Sequence, residues 1–141
     1  MSQIDDDDLL LRHVPGGTAW QAPPTGRITS GNFELRKDRG ETGVSTSWTH
    51  VTDLTQNAAR VLQLRRSGPD SRIAVARVGD IRTLGFRVIE KQADDDPNHA
   101  EIESGTASLE EHKLRKRLAN LFRYVAPPAP PLDSTNQAIG G

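Results

Sequence analysis

The chain has 141 residues, with 18 Lys+Arg against 19 Asp+Glu, a formal net charge of −1, 34% hydrophobic and 4% aromatic residues, and no cysteine. That length suits one domain, because a second core would find too few apolar residues to fill it. Without cysteine there is no disulfide framework, zinc–thiolate site, iron–sulfur cluster or thiol nucleophile, and a charge near zero gives no bulk attraction to nucleic acid or anionic membrane.

No apolar run approaches the roughly 20 residues of a spanning helix, and no basic-then-apolar leader opens the sequence. A cytoplasmic protein is expected. Residues 1–8 carry the run Asp5-Asp6-Asp7-Asp8, whose charges repel one another, so a disordered, solvated lead-in that buries nothing is predicted. Residues 126–141 open with four prolines in six residues and end in Gly140-Gly141. Prolines so dense join neither helix nor central strand, which predicts an extended, flexible tail. A terminal Gly-Gly is shared with ubiquitin-like modifiers, but the core lacks the opening hairpin of that fold. The folded core is read as residues 9–125.

Within it, Leu9 to Val14 reads as a first strand, closed by Pro15-Gly16-Gly17. A long loop follows from Thr18 to Asn32, then a short strand from Phe33 to Lys37. Val44 to His50 alternates with period two, placing Val44, Thr46, Trp48 and His50 on one face and Ser45, Ser47 and Thr49 on the other. Asp53 is suited to cap a helix in which Leu54, Ala58, Val61 and Leu62 fall on one side, with a stop at Ser67 to Asp70. Ile73-Ala74-Val75-Ala76 is apolar on both faces, as a covered strand requires. A single turn around Gly79-Asp80, ended by Gly85, leads to strands at Phe86 to Glu90 and His99 to Glu103. Ser108 with Glu111 has the spacing of a capping box, and Leu114, Leu118, Leu121, Phe122 and Val125 form a helical stripe reaching Val125. The sum is a small α+β domain with a mixed or antiparallel sheet and two main helices.

Three groups of residues carry candidate chemistry. The last helix holds Lys113, Arg115, Lys116, Arg117 and Arg123 against Glu110 and Glu111. With Arg115, Lys116 and Arg117 at its centre, this surface is suited to an acidic protein partner, to phosphates, or to the chain's own Asp5 to Asp8 run; the same pattern also describes a solvated face opposite a packing stripe. Few aromatics are available to stack bases, so nucleic acid is the weaker choice. His99, beside Asp94, Asp95 and Asp96, is a candidate binding residue, although a structural hydrogen-bonding role is the commoner one for such a histidine. None of His13, His50, His99 and His112 has a ligand-pair spacing, so no metal is predicted.

The third group is Arg12, Ser45-Thr46-Ser47 and Glu101-Ile102-Glu103, spread over three predicted strands. Were those strands to meet, an arginine, hydroxyls and paired carboxylates would share a cleft. Their order resembles the Arg…Ser-Thr-Ser…Glu-x-Glu signature of one branch of the ADP-ribosyltransferases. The resemblance implies a split α+β fold using NAD, with Arg12 on the NAD phosphates, Ser45 or Ser47 supporting the nicotinamide side, Glu103 as the catalytic carboxylate and Glu101 activating the acceptor. Separately, Arg72 to Val88 and Asp96-Pro97-Asn98-His99-Ala100-Glu101-Ile102, with Leu11-Arg12 and Val44-Ser45, are similar to small uncharacterised bacterial proteins near toxin or defence genes. That likeness makes Pro97, His99 and Ala100 the more characteristic site. The leading expectation is a non-enzymatic protein-interaction module of a bacterial multi-protein system, in phage defence or a toxin–antitoxin setting, with no cofactor. The alternative is the NAD-using transferase through Arg12, Ser45 and Glu103. Oligomeric state stays open.

Overall fold

The computed structural model describes residues 3–14, 28–35, 38, 40–65 and 71–125. The turn at 15–17, most of the loop read from Thr18, the helix stop at 67–70 and the proline tail lie outside the described residues. The elements run β1 (Leu9–Val14), a 3-10 turn (Ser30–Phe33), β2 (Gly43–Thr49), a second 3-10 turn (Val51–Asp53), α1 (Leu54–Arg65), β3 (Arg72–Arg77), α2 (Val78–Thr83), β4 (Arg87–Glu90), β5 (His99–Glu103), α3 (His112–Leu121) and β6 (Arg123–Tyr124). The strands form one six-stranded sheet ordered β4-β5-β2-β1-β3-β6, antiparallel at every pairing. The domain is α+β, as the interleaved periods imply.

Successive strand residues point to opposite faces, and the register fixes which residues share one. Leu10 lies opposite Trp48 and Ala76, whereas Leu11 lies opposite Ser47 and Val75. The Leu10 face carries the larger core, where Val14, Val44, Ala74 and Ile102 meet Ile81, Leu118 and Phe122 from α2 and the α3 end. On the Leu11 face, Leu11 and Ile73 pack against Ala58 and Val61 of α1, as the spacing in that helix predicts. Gly85, which closes α2, has φ +104° and sits where a Cβ would lie 2.4 Å from Thr106 Oγ1, so glycine is required there.

Three local readings change. Phe33 ends a 3-10 turn instead of starting a strand, because its side chain is drawn into the core beside Phe122, with ring centroids 4.9 Å apart. The last helix begins at His112 and not at Ser108: the Ser108 hydroxyl accepts from the Glu110 amide, and Glu111 occupies the cap position without a side-chain bond. The helix also stops at Leu121. Phe122 turns to extended backbone, and Arg123–Tyr124 pair with β3 as β6, so Val125 joins the α1 side.

The acidic segment differs most. Instead of a solvated lead-in, residues 3–8 form a strap against β3 and α2. Ile4 is 4% exposed within the larger core. Asp6 pairs with Arg82 at 2.7 Å and Asp7 with Arg77 at 3.0 Å, while the Val78 and Gly79 amides donate to the Asp8 and Asp6 carbonyls, each at 2.9 Å. The mutual repulsion of the aspartates is offset by cations about 70 residues further along the chain.

Candidate functional site

The residues expected to form one cleft occupy both faces of the sheet. Ser45 lies opposite Glu101 and Gly43 opposite Glu103, so the side chains of Ser45, Glu101 and Glu103 share the Leu11 face. Arg12 follows Leu11 in β1 and therefore points to the other face. Its pairing with β2 covers only Leu9 to Leu11, and beyond it the guanidinium reaches across to β2. Nη1 donates to the Ser45 carbonyl at 2.9 Å and Nη2 to the Asn32 carbonyl at 2.8 Å. Arg12 thus ties the 3-10 turn to β2 through backbone oxygens, and it touches Ser45 without sharing a cleft with Glu103.

The glutamates have a partner of their own. Lys91 Nζ lies 3.1 Å from Glu101 Oε1 and 2.8 Å from Glu103 Oε2, and these bonds, Glu103 foremost, push the ammonium above its usual range. Both side chains lie over Gly43, where a Cβ would come 2.8 Å from Glu101 Oε1 and 2.9 Å from Glu103 Cγ. This ladder sits over β4 and β5, beside the part of the face that α1 covers. It is a lateral ion-pair strip in which both carboxylates are engaged by Lys91.

His99 takes the structural, hydrogen-bonding role expected of it. Its Nδ1–H donates to the Lys91 carbonyl at 2.8 Å and its amide to the Asp96 carbonyl at 3.1 Å, which fixes the start of β5. Among the described residues no group of three His, Asp or Glu side chains is placed to hold a metal ion. Asp96 turns inward, with no exposure. It accepts from the Ser47 hydroxyl, from the Asn98 amide at 3.0 Å and from Arg60 Nη1 at 3.1 Å. Burial pushes this carboxyl up, but the Ser47 and Asn98 bonds and the Arg60 charge outweigh it and hold it below the usual range. From Arg60 the network passes through Asn57 to the Thr49 hydroxyl. No spacing in the sequence marks Arg60 or Asn57 as partners of Asp96; only the packing of α1 on β2 brings them together.

The basic helix is the remaining region, and here the predicted residues divide. Arg115 is partly buried, and its Nη1 donates to the Leu109 carbonyl at 2.7 Å, so it braces the turn before α3. Lys116 and Arg117 are exposed, and with them Lys113 and Asn120. These four stand at i, i+3, i+4 and i+7, one face of a helix. Lys113, already grouped with this surface from the sequence, completes the row with Asn120. Leu118 is fully buried and Leu114 and Leu121 are partly so, which anchors the opposite side. Among the described residues none of Lys113, Lys116, Arg117 or Arg123 has an ion-pair partner, and the Asp5 to Asp8 run lies against His50, Arg77 and Arg82 instead of α3.

No family model, curated protein or solved structure matches the chain. Among the described residues no helix is long and apolar enough to cross a membrane.

Proposed function

We propose that the protein is a non-enzymatic interaction module of a multi-protein system, presenting the outer face of α3 to an acidic segment of a partner protein. The setting that the sequence resemblance implies is bacterial defence or toxin–antitoxin biology. The observation that carries this reading is the row Lys113, Lys116 and Arg117, exposed and without counter-ions among the described residues, on a helix whose other side is anchored in the core. Such cations have no internal ion pair to break on binding, and they steer an anionic surface onto the helix. The net charge of −1 and the scarcity of aromatics favour a protein partner over a polynucleotide. Arg12 and Glu103, on opposite sheet faces and each already bonded, lend no support to NAD chemistry.

The test compares the full chain with the triple variant Lys113→Glu, Lys116→Glu and Arg117→Glu, titrating a glutamate-rich peptide and a DNA duplex by fluorescence anisotropy across a salt series. Peptide binding by the native chain is expected, weakening with salt and falling by at least about 10-fold in the variant, at roughly 0.5–1 kcal/mol for each reversed contact. Tighter binding of the duplex would transfer the reading to nucleic acid, and no binding of either probe would end it. Leu118→Asp is unsuitable here, because a charge at that buried position unfolds the helix whatever its outer face does.

A further inference from the structure

The strap over residues 3–8 is held by one contact of a different kind from the rest. Asp6 and Asp7 meet arginines, whose charge does not change with pH. Asp8 is the buried member of the run, its side chain 7% exposed, and it meets a histidine: His50 Nδ1–H donates to Asp8 Oδ1 at 2.7 Å. The other carboxylate oxygen, Oδ2, accepts from the Asp5 amide at 2.9 Å and closes the turn. Among the described residues His50 is the cation paired with Asp8. The imidazole is itself 55% exposed and stands edge-on to Trp48, with centroids 5.1 Å apart, so the ring is open to solvent while its partner is buried.

The charged groups facing His50 all bear one sign. Asp8 and Asp5 come from the strap and Asp53 from the 3-10 turn before α1; the nearby cations Arg77 and Arg82 are bound to Asp7 and Asp6. We propose that His50 is a proton-operated latch for the strap: protonated, it clamps Asp8 and seats Ile4 in the core, and deprotonated, it leaves a buried carboxylate without a counter-charge and loosens the segment. The hydrogen bond to Asp8, then the Asp8 charge, raises the imidazole above 6.5. A group raised in the docked state contributes its full stabilisation below its undocked value and loses it as pH climbs through the docked value. The strap is therefore tight at mildly acidic pH and released on the alkaline side of 6.5.

Two amides report the event directly, since Val78 and Gly79 donate to the Asp8 and Asp6 carbonyls. Hydrogen exchange of these amides, corrected for intrinsic rates, is measured by NMR from pH 5.5 to 9 on the native chain, together with the titration of the His50 ring. Protection should fall across that titration, by a factor of 10 for each unit by which the His50 pKa exceeds its value in Asp8→Asn, because proton binding and strap docking are reciprocally linked. Asp8→Asn should return the ring towards its ordinary value, and His50→Gln should give protection without pH dependence. Protection in the native chain that stays flat through the His50 titration overturns the latch. So does a pH dependence that survives in His50→Gln. Should His50→Gln fail to fold, the native-chain titration and Asp8→Asn decide between the outcomes by themselves.

Discussion

Replacing Asp96 by alanine is expected to lower the unfolding free energy by about 3–5 kcal/mol, the cost of removing one partner from a buried charge network. The side chain has no exposure, and its loss strands three donors that point at one place: the Ser47 hydroxyl, the Asn98 amide and Arg60 Nη1. Water cannot readily replace an acceptor in so closed a position, so each donor bears its desolvation cost. Against the 5–15 kcal/mol of a typical small domain, such a loss takes a large share of total stability. Asp96→Asn keeps the shape and can still accept from Asn98 and Arg60, so it should cost about half as much. Urea denaturation at pH 7 measures both, and a loss below about 1 kcal/mol for alanine would show that the network contributes little.

The same group sets an acid limit. Its folded value lies below the ordinary 3.8, so the contribution is fully present above that value and is lost as pH falls through it towards the folded one. Arg60 keeps its charge throughout. In Asp96→Asn the portion of the stability–pH slope below about pH 4 that Asp96 supplies should vanish, which a denaturation series from pH 3 to pH 7 detects.

Phe33→Ala is the second change of this size, with an expected loss of about 3–5 kcal/mol. Phe33 is fully buried, and its ring lies against Phe122 at a tilt of 40°; the aromatic pair adds roughly 0.5–1.5 kcal/mol to what the buried area provides. The contact joins the turn at Ser30–Phe33 to the end of α3, so the cavity opens beneath the helix that carries Lys113, Lys116 and Arg117. Amide exchange in α3 should accelerate more than in α1, which rests on the other face. Uniform acceleration of both helices would mean that Phe33 serves the whole core and has no particular hold on α3.

How much was legible beforehand follows from the range over which each feature is encoded. Alternation in Val44 to Thr49, the all-apolar Ile73 to Ala76 and the spacing of Leu54, Ala58 and Val61 each describe a face, and a face can be read from a few neighbouring residues. Strands at Leu9 and His99 and the helix at Leu114 therefore appear where their patterns place them. Ends were less legible. The Ser108–Glu111 spacing suits a cap, yet the Ser104 hydroxyl accepts from the Leu109 amide and the Ser108 hydroxyl from Glu110, and these bonds hold the segment before α3 in a turn.

The α+β class, the core-facing stripes and the balanced charge belong to the sequence alone, because hydrophobic period is a local property. The tertiary structure decided what the charges do. Asp7 meets Arg77 across 70 positions and Asp6 meets Arg82 across 76, distances over which composition says only that both signs exist. Sheet register sends Arg12 to one face and Glu103 to the other, since a single residue of parity reverses a side chain. The acidic run is thereby neutralised by α2, β3 and His50. A near-zero sum on paper becomes, among the described residues, a row of cations on α3 without ion-pair partners.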